Sequence, residues 1–254
     1  MCYDIKTKLE TMLKYARRYY DEQTILDLEN KLAPYLDDPL HHASGFSHPR
    51  LLIYTGEHGN KPVLATWGLI PHWTKGKEQA KKFWNNTLNA RGETIFEKPS
   101  FRDSARSKRC IVFLDGFYEH HHYKEGKYPF FISRKDKDPI ALAGLWSEWV
   151  DKDTGEIILT FTIVTTEANT MLAKIHNNPK LAGPRMPVII EDGEEEMWMI
   201  NEGANIDSVR VRSLIKASDP DKLMAHTVQK LKGKAYLGNE TEVSNEFIYE
   251  ELVF

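Results

Sequence analysis

Four apolar runs crowd the middle of this chain: CIVFLDGFYEH (110–120), YPFFIS (128–133), IALAGLW (140–146) and IILTFTIVTT (157–166). Each is rich in β-branched and aromatic residues, which fit a pleated surface. The turns between them carry Gly126, Pro139 and Gly155. No helical pattern alternates with these strands, so the βα repeat of a parallel sheet is missing. The fold class implied is α+β, a single domain over 1–254 with a largely antiparallel, barrel-like β core flanked by helices.

Around that core the sequence predicts further elements. Leu9, Met12, Leu13, Ala16 and Tyr20 recur at helical spacing, giving a helix over 5–32. Pro34, Pro39, Gly45 and Pro49 mark 33–50 as a loop. Strands are expected at 51–55, 63–70 and 187–190, and helices at 74–84, 166–176 (N-capped by Thr166) and 191–201.

Hydrophobic residues make up 41% of the 254, enough for a core, and the charged 28% is too little to imply disorder. The only cysteines, Cys2 and Cys110, build neither a disulfide framework nor a zinc cluster. The start, MCYDIKTKLETML, has no apolar signal core, and no run of about 18 apolar residues occurs. A cytoplasmic protein without membrane contact is expected. Net charge is -3, but residues 72–109 carry ten Lys/Arg against four Asp/Glu. That segment reads equally as part of an anion-binding cleft or as a solvated helix face.

Cys2 follows the initiator Met1 directly. Removal of Met1 would leave a free α-amine and a thiol on adjacent carbons, with reference pKa values of about 8 and 8.5. Such a pair traps an aldehyde: the amine forms a Schiff base, and the thiolate closes a thiazolidine. On position alone, Cys2 also reads as an incidental terminal residue.

Three other segments set polar residues at strand or helix ends. In LNARGET, alternation puts Asn89 and Arg91 on one face of an extended segment. In LDGFYEHHH, Glu119 stands just past an apolar strand, and in KIHNNPKLAGPRMPVII His176 ends a helix and Arg185 precedes a strand. Taken singly, these also read as a turn former, surface cations, a hairpin-end carboxylate and a helix-capping histidine. His120, His121 and His122 are adjacent, so at strand spacing they cannot all face one metal, and no metal site is expected. Trp67 and Trp73 fit core or cleft walls, or base stacking in a basic setting.

Together with Cys2, the segments WGLIPHW (67–73), LNARGET (88–94), FLDGFYEH (113–120), ALAGLW (141–146) and IHNNPKLAGPRMPVII (175–190) stand in a familiar order. The chain resembles the SRAP family, the SOS-response-associated peptidases or abasic-site processing proteins. The resemblance implies a single α+β domain, a positively charged cleft for single-stranded DNA, and covalent capture of abasic sites by the terminal cysteine. It implies Cys2 as nucleophile, Asn89 positioning its amine or the opened sugar, and Glu119 as acid/base. His176, with neutral and charged imidazole both accessible near pH 7, would assist ring opening or reversal. Arg91 and Arg185 would bind phosphate, and the Trp67–Trp73 loop would support the strand. No cofactor is implied, and a monomer is expected. The chain departs from the family pattern in several places. Tyr3 and Asp4 replace a glycine and a phosphate-binding arginine, His48-Pro49 stands in the usual Asn-x-x-Pro segment, and NNPKLAGP separates His176 from Arg185. Two other classes stay open: a cysteine hydrolase using Cys2 and His176, and a single-stranded-DNA-binding module without chemistry.

Overall fold

The computed structural model describes residues 2–58, 61–200 and 208–253. Its strands are β1 (Asp4–Thr7), β2 (Leu40–Ser44), β3 (Arg50–Thr55), β4 (Val63–Trp67), β5 (Asn89–Arg91), β6 (Arg109–Leu114), β7 (Gly116–Tyr123), β8 (Gly126–Arg134), β9 (Ile140–Val150), β10 (Ile157–Glu167), β11 (Arg185–Pro187) and β12 (Leu223–Thr227). Strands β3, β4, β10, β9 and β6 close on themselves as a barrel. Only β4–β10 is parallel in that ring; the other four pairings are antiparallel. β5 and β11 extend β10 beyond the ring. A second, antiparallel sheet runs β12-β8-β7-β1-β2. The α+β class and the barrel-like core match the expectation.

Both faces of the central strands are buried, which explains their near-continuous apolar sequences. Successive residues point into different cores. Cys110, Val112 and Leu114 join one cluster with Trp146, Phe161 and Ile163, whereas Ile111 and Phe113 join another with Tyr54, Val164 and Trp198. Gly144 keeps β9 close to β6: a Cβ there would lie 2.7 Å from the Cys110 sulfur.

The run 110–120, which reads as one strand, is two. The chain bends at Asp115, leaving β6 in the barrel and sending β7 into the second sheet. Asp115 fixes the bend: its backbone N–H donates to the Lys6 carbonyl at 3.0 Å, and its carboxylate accepts from the Thr11 hydroxyl at 2.8 Å. The expected helix over 5–32 is also divided. Residues 4–7 pair as β1 between β2 and β7, α-helices form at Leu9–Met12 and Glu22–Leu32, and a single 3-10 turn at Ala16–Arg18 lies between them. Two-sided sheet pairing overrides the helical spacing there. β2 occupies part of the expected loop. Thr166 does not cap the next helix because it stays paired with Met186; Asn169 caps Thr170–Ile175 instead, accepting from the Leu172 N–H at 2.8 Å. Among the described residues no helix is long and apolar enough to cross a membrane.

A Cβ on Gly116, the first residue of β7, would lie 2.4 Å from the Ile132 carbonyl oxygen and 2.5 Å from the Phe131 ring. Backbone cannot yield as a side chain can, so Gly116→Ala should cost about 1–3 kcal/mol. Gly183→Ala, which meets nothing within 4 Å, should be close to neutral. Thermal melts of the two variants giving equal midpoints would contradict this reading of the bend.

Candidate active site around Cys2

Cys2 is fully buried, because the strand that follows it sits inside the second sheet. β5 reaches it from the barrel side: the Asn89 side-chain amide donates to the Cys2 carbonyl at 2.8 Å. The Asn89 Oδ1 is buried and finds no partner among the described residues. Two residues along, Arg91 is exposed, as strand alternation anticipates for a shared face. Met1 lies outside the described residues.

Glu119 enters from β7 and is 4% exposed. Burial pushes its carboxyl up to about 7. His176, just past the helix Thr170–Ile175, is also buried, and its Nε2 lies 4.0 Å from Glu119 Oε2. The other ring nitrogen settles the tautomer. The Arg185 backbone N–H donates to His176 Nδ1 at 2.8 Å, so Nδ1 is bare and Nε2 carries the hydrogen. Burial pushes His176 down to about 4. The imidazole is therefore neutral at pH 7, and the expectation that it titrates there is corrected. A neutral N–H facing a carboxyl across 4.0 Å is a polar contact, not an ion pair.

The same bond closes the segment 177–184. His176 and Arg185 meet although eight residues separate them, and Asn177 anchors the near end by exchanging two hydrogen bonds with the His122 backbone, at 2.7 and 2.9 Å. The Arg185 guanidinium is held by the Glu93 carboxylate at 2.7 Å and the Thr165 carbonyl at 2.8 Å.

Burial also pushes the Cys2 thiol well up, with the Glu119 carboxylate acting in the same direction. Asp4 behaves differently. Burial opposes its charge, but the hydrogen bond from His42 Nε2, at 3.1 Å, holds its carboxyl below the usual range. His42 Nδ1 in turn meets the Tyr236 hydroxyl at 2.6 Å. Asp4 thus lines the cleft with its carboxylate already engaged by a histidine.

A cleft of about 320 Å³ opens over these groups, lined among others by Tyr3, Phe46, Glu119, His176, Lys127 and Lys232. Its lysines come from outside the basic segment 72–109. Several cations of that segment pair with carboxylates instead: Lys77 with Asp151, Lys81 with Glu78, Lys108 with Glu148. The solvated-face reading fits them. Trp67 is not part of the cleft surface. It is fully buried, donates from Nε1 to the Leu88 carbonyl at 2.8 Å and stacks on Phe161, leaving no face for a base. Trp73 is 39% exposed and packs edge-on to Phe83. Among the described residues no three His, Cys, Asp or Glu side chains converge to hold a metal. Sequence reasoning missed the His42–Tyr236 pair, Lys127 and Phe46; Asp4 and the lysines at 230, 232 and 234 were the available signals.

A family model described as SOS response associated peptidase (SRAP) matches residues 21–235. The chain belongs to the SRAP family. Asn89, Arg91, Glu119, His176 and Arg185 fall inside the matched range, and Cys2 precedes it. A relative named abasic site processing protein YoqW, from Bacillus subtilis, is 38% identical over 182 residues, covering 71% of this chain and 75% of its own. Abasic site processing protein YMR114C of Saccharomyces cerevisiae is 33% identical, over 66% of this chain and 43% of its own. Among solved structures, a Bacteroides thetaiotaomicron protein superposes with a TM-score of 0.82 at 33% identity, covering 97% of this SRAP chain and all of that one. One from Bordetella bronchiseptica, at 22% identity and a TM-score of 0.70, shares the fold.

The buried carboxyl has a measurable cost. Folded Glu119 keeps a proton between about pH 4.5 and 7 that the unfolded chain has lost, so its contribution to stability falls as pH rises through that window. The full penalty, roughly 3 kcal/mol, stands above pH 7. His176 contributes in the opposite sense, because its folded value lies below its unfolded one. That contribution is common to wild type and Glu119→Gln. The variant should therefore gain stability relative to wild type between pH 5 and pH 8 in thermal melts. A constant difference across that range would show that the carboxylate is well solvated.

Proposed function

We propose that this SRAP protein binds single-stranded DNA at abasic sites and captures the ring-opened aldehyde on Cys2 as a thiazolidine, after Met1 is removed. The observation that carries this reading is a proton-exchanging carboxyl, Glu119 near 7, lining the cleft beside Tyr3, whose neighbour Cys2 is buried with its carbonyl anchored by Asn89. The names of the relatives supply the substrate class.

The Cys2 amine adds to the aldehyde carbon, giving a carbinolamine. Protonated Glu119 delivers its proton to the departing hydroxyl, which leaves as water, and an iminium remains. The resulting carboxylate then takes the thiol proton while sulfur adds to the iminium carbon. The ring closes with nitrogen neutral and Glu119 protonated again. A thiol held well above its ordinary value suits this order, since it keeps its proton until a base beside it is free. His176 serves as a fixed N–H donor toward Glu119 or the sugar oxygen, positioned by the Arg185 backbone. Arg91, exposed at the end of β5, takes a phosphate. Arg185 would have to leave Glu93 to do the same. The adduct shields the lesion from strand scission during the response to DNA damage.

A cysteine hydrolase built on Cys2 and His176 fits less well. That chemistry needs a depressed thiol pKa and an imidazole that accepts the thiol proton. Here the thiol is raised, Nδ1 accepts a backbone N–H, and Nε2 already carries hydrogen. A binding module without chemistry has no use for the buried Glu119. Acetylating the N-terminus separates the three: it should abolish thiazolidine capture, impair a thiol hydrolase less, and leave simple binding unchanged.

The direct test is denaturing electrophoresis after incubation with abasic single-stranded DNA. Wild type should give a stable adduct on the N-terminal peptide, with Met1 absent by mass spectrometry. Cys2→Ser and Cys2→Ala should retain only a Schiff base that borohydride traps. Glu119→Gln should slow adduct formation far more than it weakens binding, and should remove an inflection near pH 7 from the rate profile. An adduct on Cys110 or a lysine, or full activity with Met1 attached, would overturn the mechanism.

Arg91→Ala should reduce the dependence of log affinity on log salt by about 0.7, the share of one phosphate contact on single-stranded DNA. An unchanged slope would remove Arg91 from the binding surface.

A further inference from the structure

The mouth of the Cys2 cleft holds an aromatic pair that the chemistry above does not use. Phe46 is 52% exposed, and its ring centre lies 5.1 Å from that of Tyr3. Both rings line the cleft with Glu119 and His176. Their placement is fixed from below. The Gly45 N–H donates to the Tyr3 carbonyl at 2.7 Å, tying the start of β1 to the short turn Gly45–Ser47 that carries Phe46. A Cβ on Gly45 would stand 3.2 Å from the Trp67 ring, so this turn rests directly on the buried indole. Lys127 and Lys232 line the same cleft, and its Asp4 carboxylate is engaged by His42.

We infer that Tyr3 and Phe46 form a platform on which the nucleobase adjoining the abasic nucleotide stacks, giving the chain a preference for a purine at that position. The inference rests on the abasic-site reading of the cleft. An abasic nucleotide offers no base of its own to grip, so a neighbour must supply the stacking that seats the lesion at Cys2. Aromatic faces beside lysines match a base together with its phosphates. Purines present the larger π-face. Phe46 supplies the open ring surface, and Tyr3 braces it from the strand that also delivers Cys2. Trp67 contributes only as the floor beneath Gly45.

Binding can be read without the covalent step on a single strand carrying tetrahydrofuran, an abasic mimic that has no aldehyde. Two such strands place 2-aminopurine on the 5′ or on the 3′ side of the mimic. With saturating protein, fluorescence should be quenched at one of the two positions. Replacing adenine at that position by a second tetrahydrofuran should weaken wild-type binding about five-fold or more, and replacing it by thymine should weaken binding by less. Phe46→Ala, a change at a half-exposed side chain that leaves the core intact, should abolish the quench and bring the ratios near one. Phe46→Tyr should restore both, and Phe46→Leu, apolar but without a π-face, should restore neither. Unchanged ratios in Phe46→Ala, or no quench at either position, would overturn the platform. Failure of the abasic-site reading looks different: wild type would then form no denaturation-resistant adduct with a true abasic strand, whatever the fluorescence on the mimic shows.

Discussion

Backbone hydrogen bonds between β1 and β7 set Asp4 opposite Tyr118 and Ile5 opposite Phe117, and β2 closes the other edge of β1. Chain ends usually fray because nothing holds both sides of the backbone. Here the first few residues form an interior strand, so the residue before them cannot float in solvent. Cys2 becomes part of the hydrophobic core. The same ladder brings Glu119, one residue beyond Tyr118, into the cleft that opens beside it. Positioning of Cys2 is therefore a property of the sheet, with Asn89 adding one directional contact from the barrel.

Burial then acts on each titratable group according to its company. It favours the neutral form of Glu119, His176 and Cys2 together. Two of these shifts run upward and one downward, yet all express the same loss of hydration. Asp4 is buried as well but stays charged, because His42 donates to it. The site thus combines one fixed anion, two groups held neutral near pH 7 and a carboxyl, Glu119, that gives up its proton there. This suits addition and dehydration, where protons must move without strong ion pairs trapping them, and it suits poorly a thiolate–imidazolium pair.

Much of this was legible in the sequence, and the failures have physical causes. The apolar runs of β6, β9 and β10 announce a two-sided β core, because only buried strands dispense with polar alternation. Asn89, Glu119 and His176 stood out as polar residues at element ends, and all three border Cys2 or its cleft. β1 was hidden because Asp4 and Lys6 look like helix surface, while its strand character comes from partners far along the chain. The division of 110–120 was hidden because the bend depends on Lys6 and Thr11, more than a hundred residues away. The ionisation of His176 was misjudged because its neutrality depends on burial, which a reference pKa does not contain. For Trp67 the sequence left core, cleft wall and base stacking open, and the core reading holds: its indole N–H bonds Leu88 inside the core.

The segment between His176 and Arg185 is pinned at both ends, by Asn177 against the His122 backbone and by the Arg185 N–H against the imidazole. A span held in this way no longer sets the distance between the groups it joins. Residues can be added inside it for little more than loop-closure entropy, about 0.6 kcal/mol per doubling of length. The geometry of His176 and Arg185 stays put while the inserted stretch is free to drift in sequence. That makes 178–184 an open slot at the rim of the cleft, where a descendant of this chain can acquire new contacts to its ligand without retuning the chemistry.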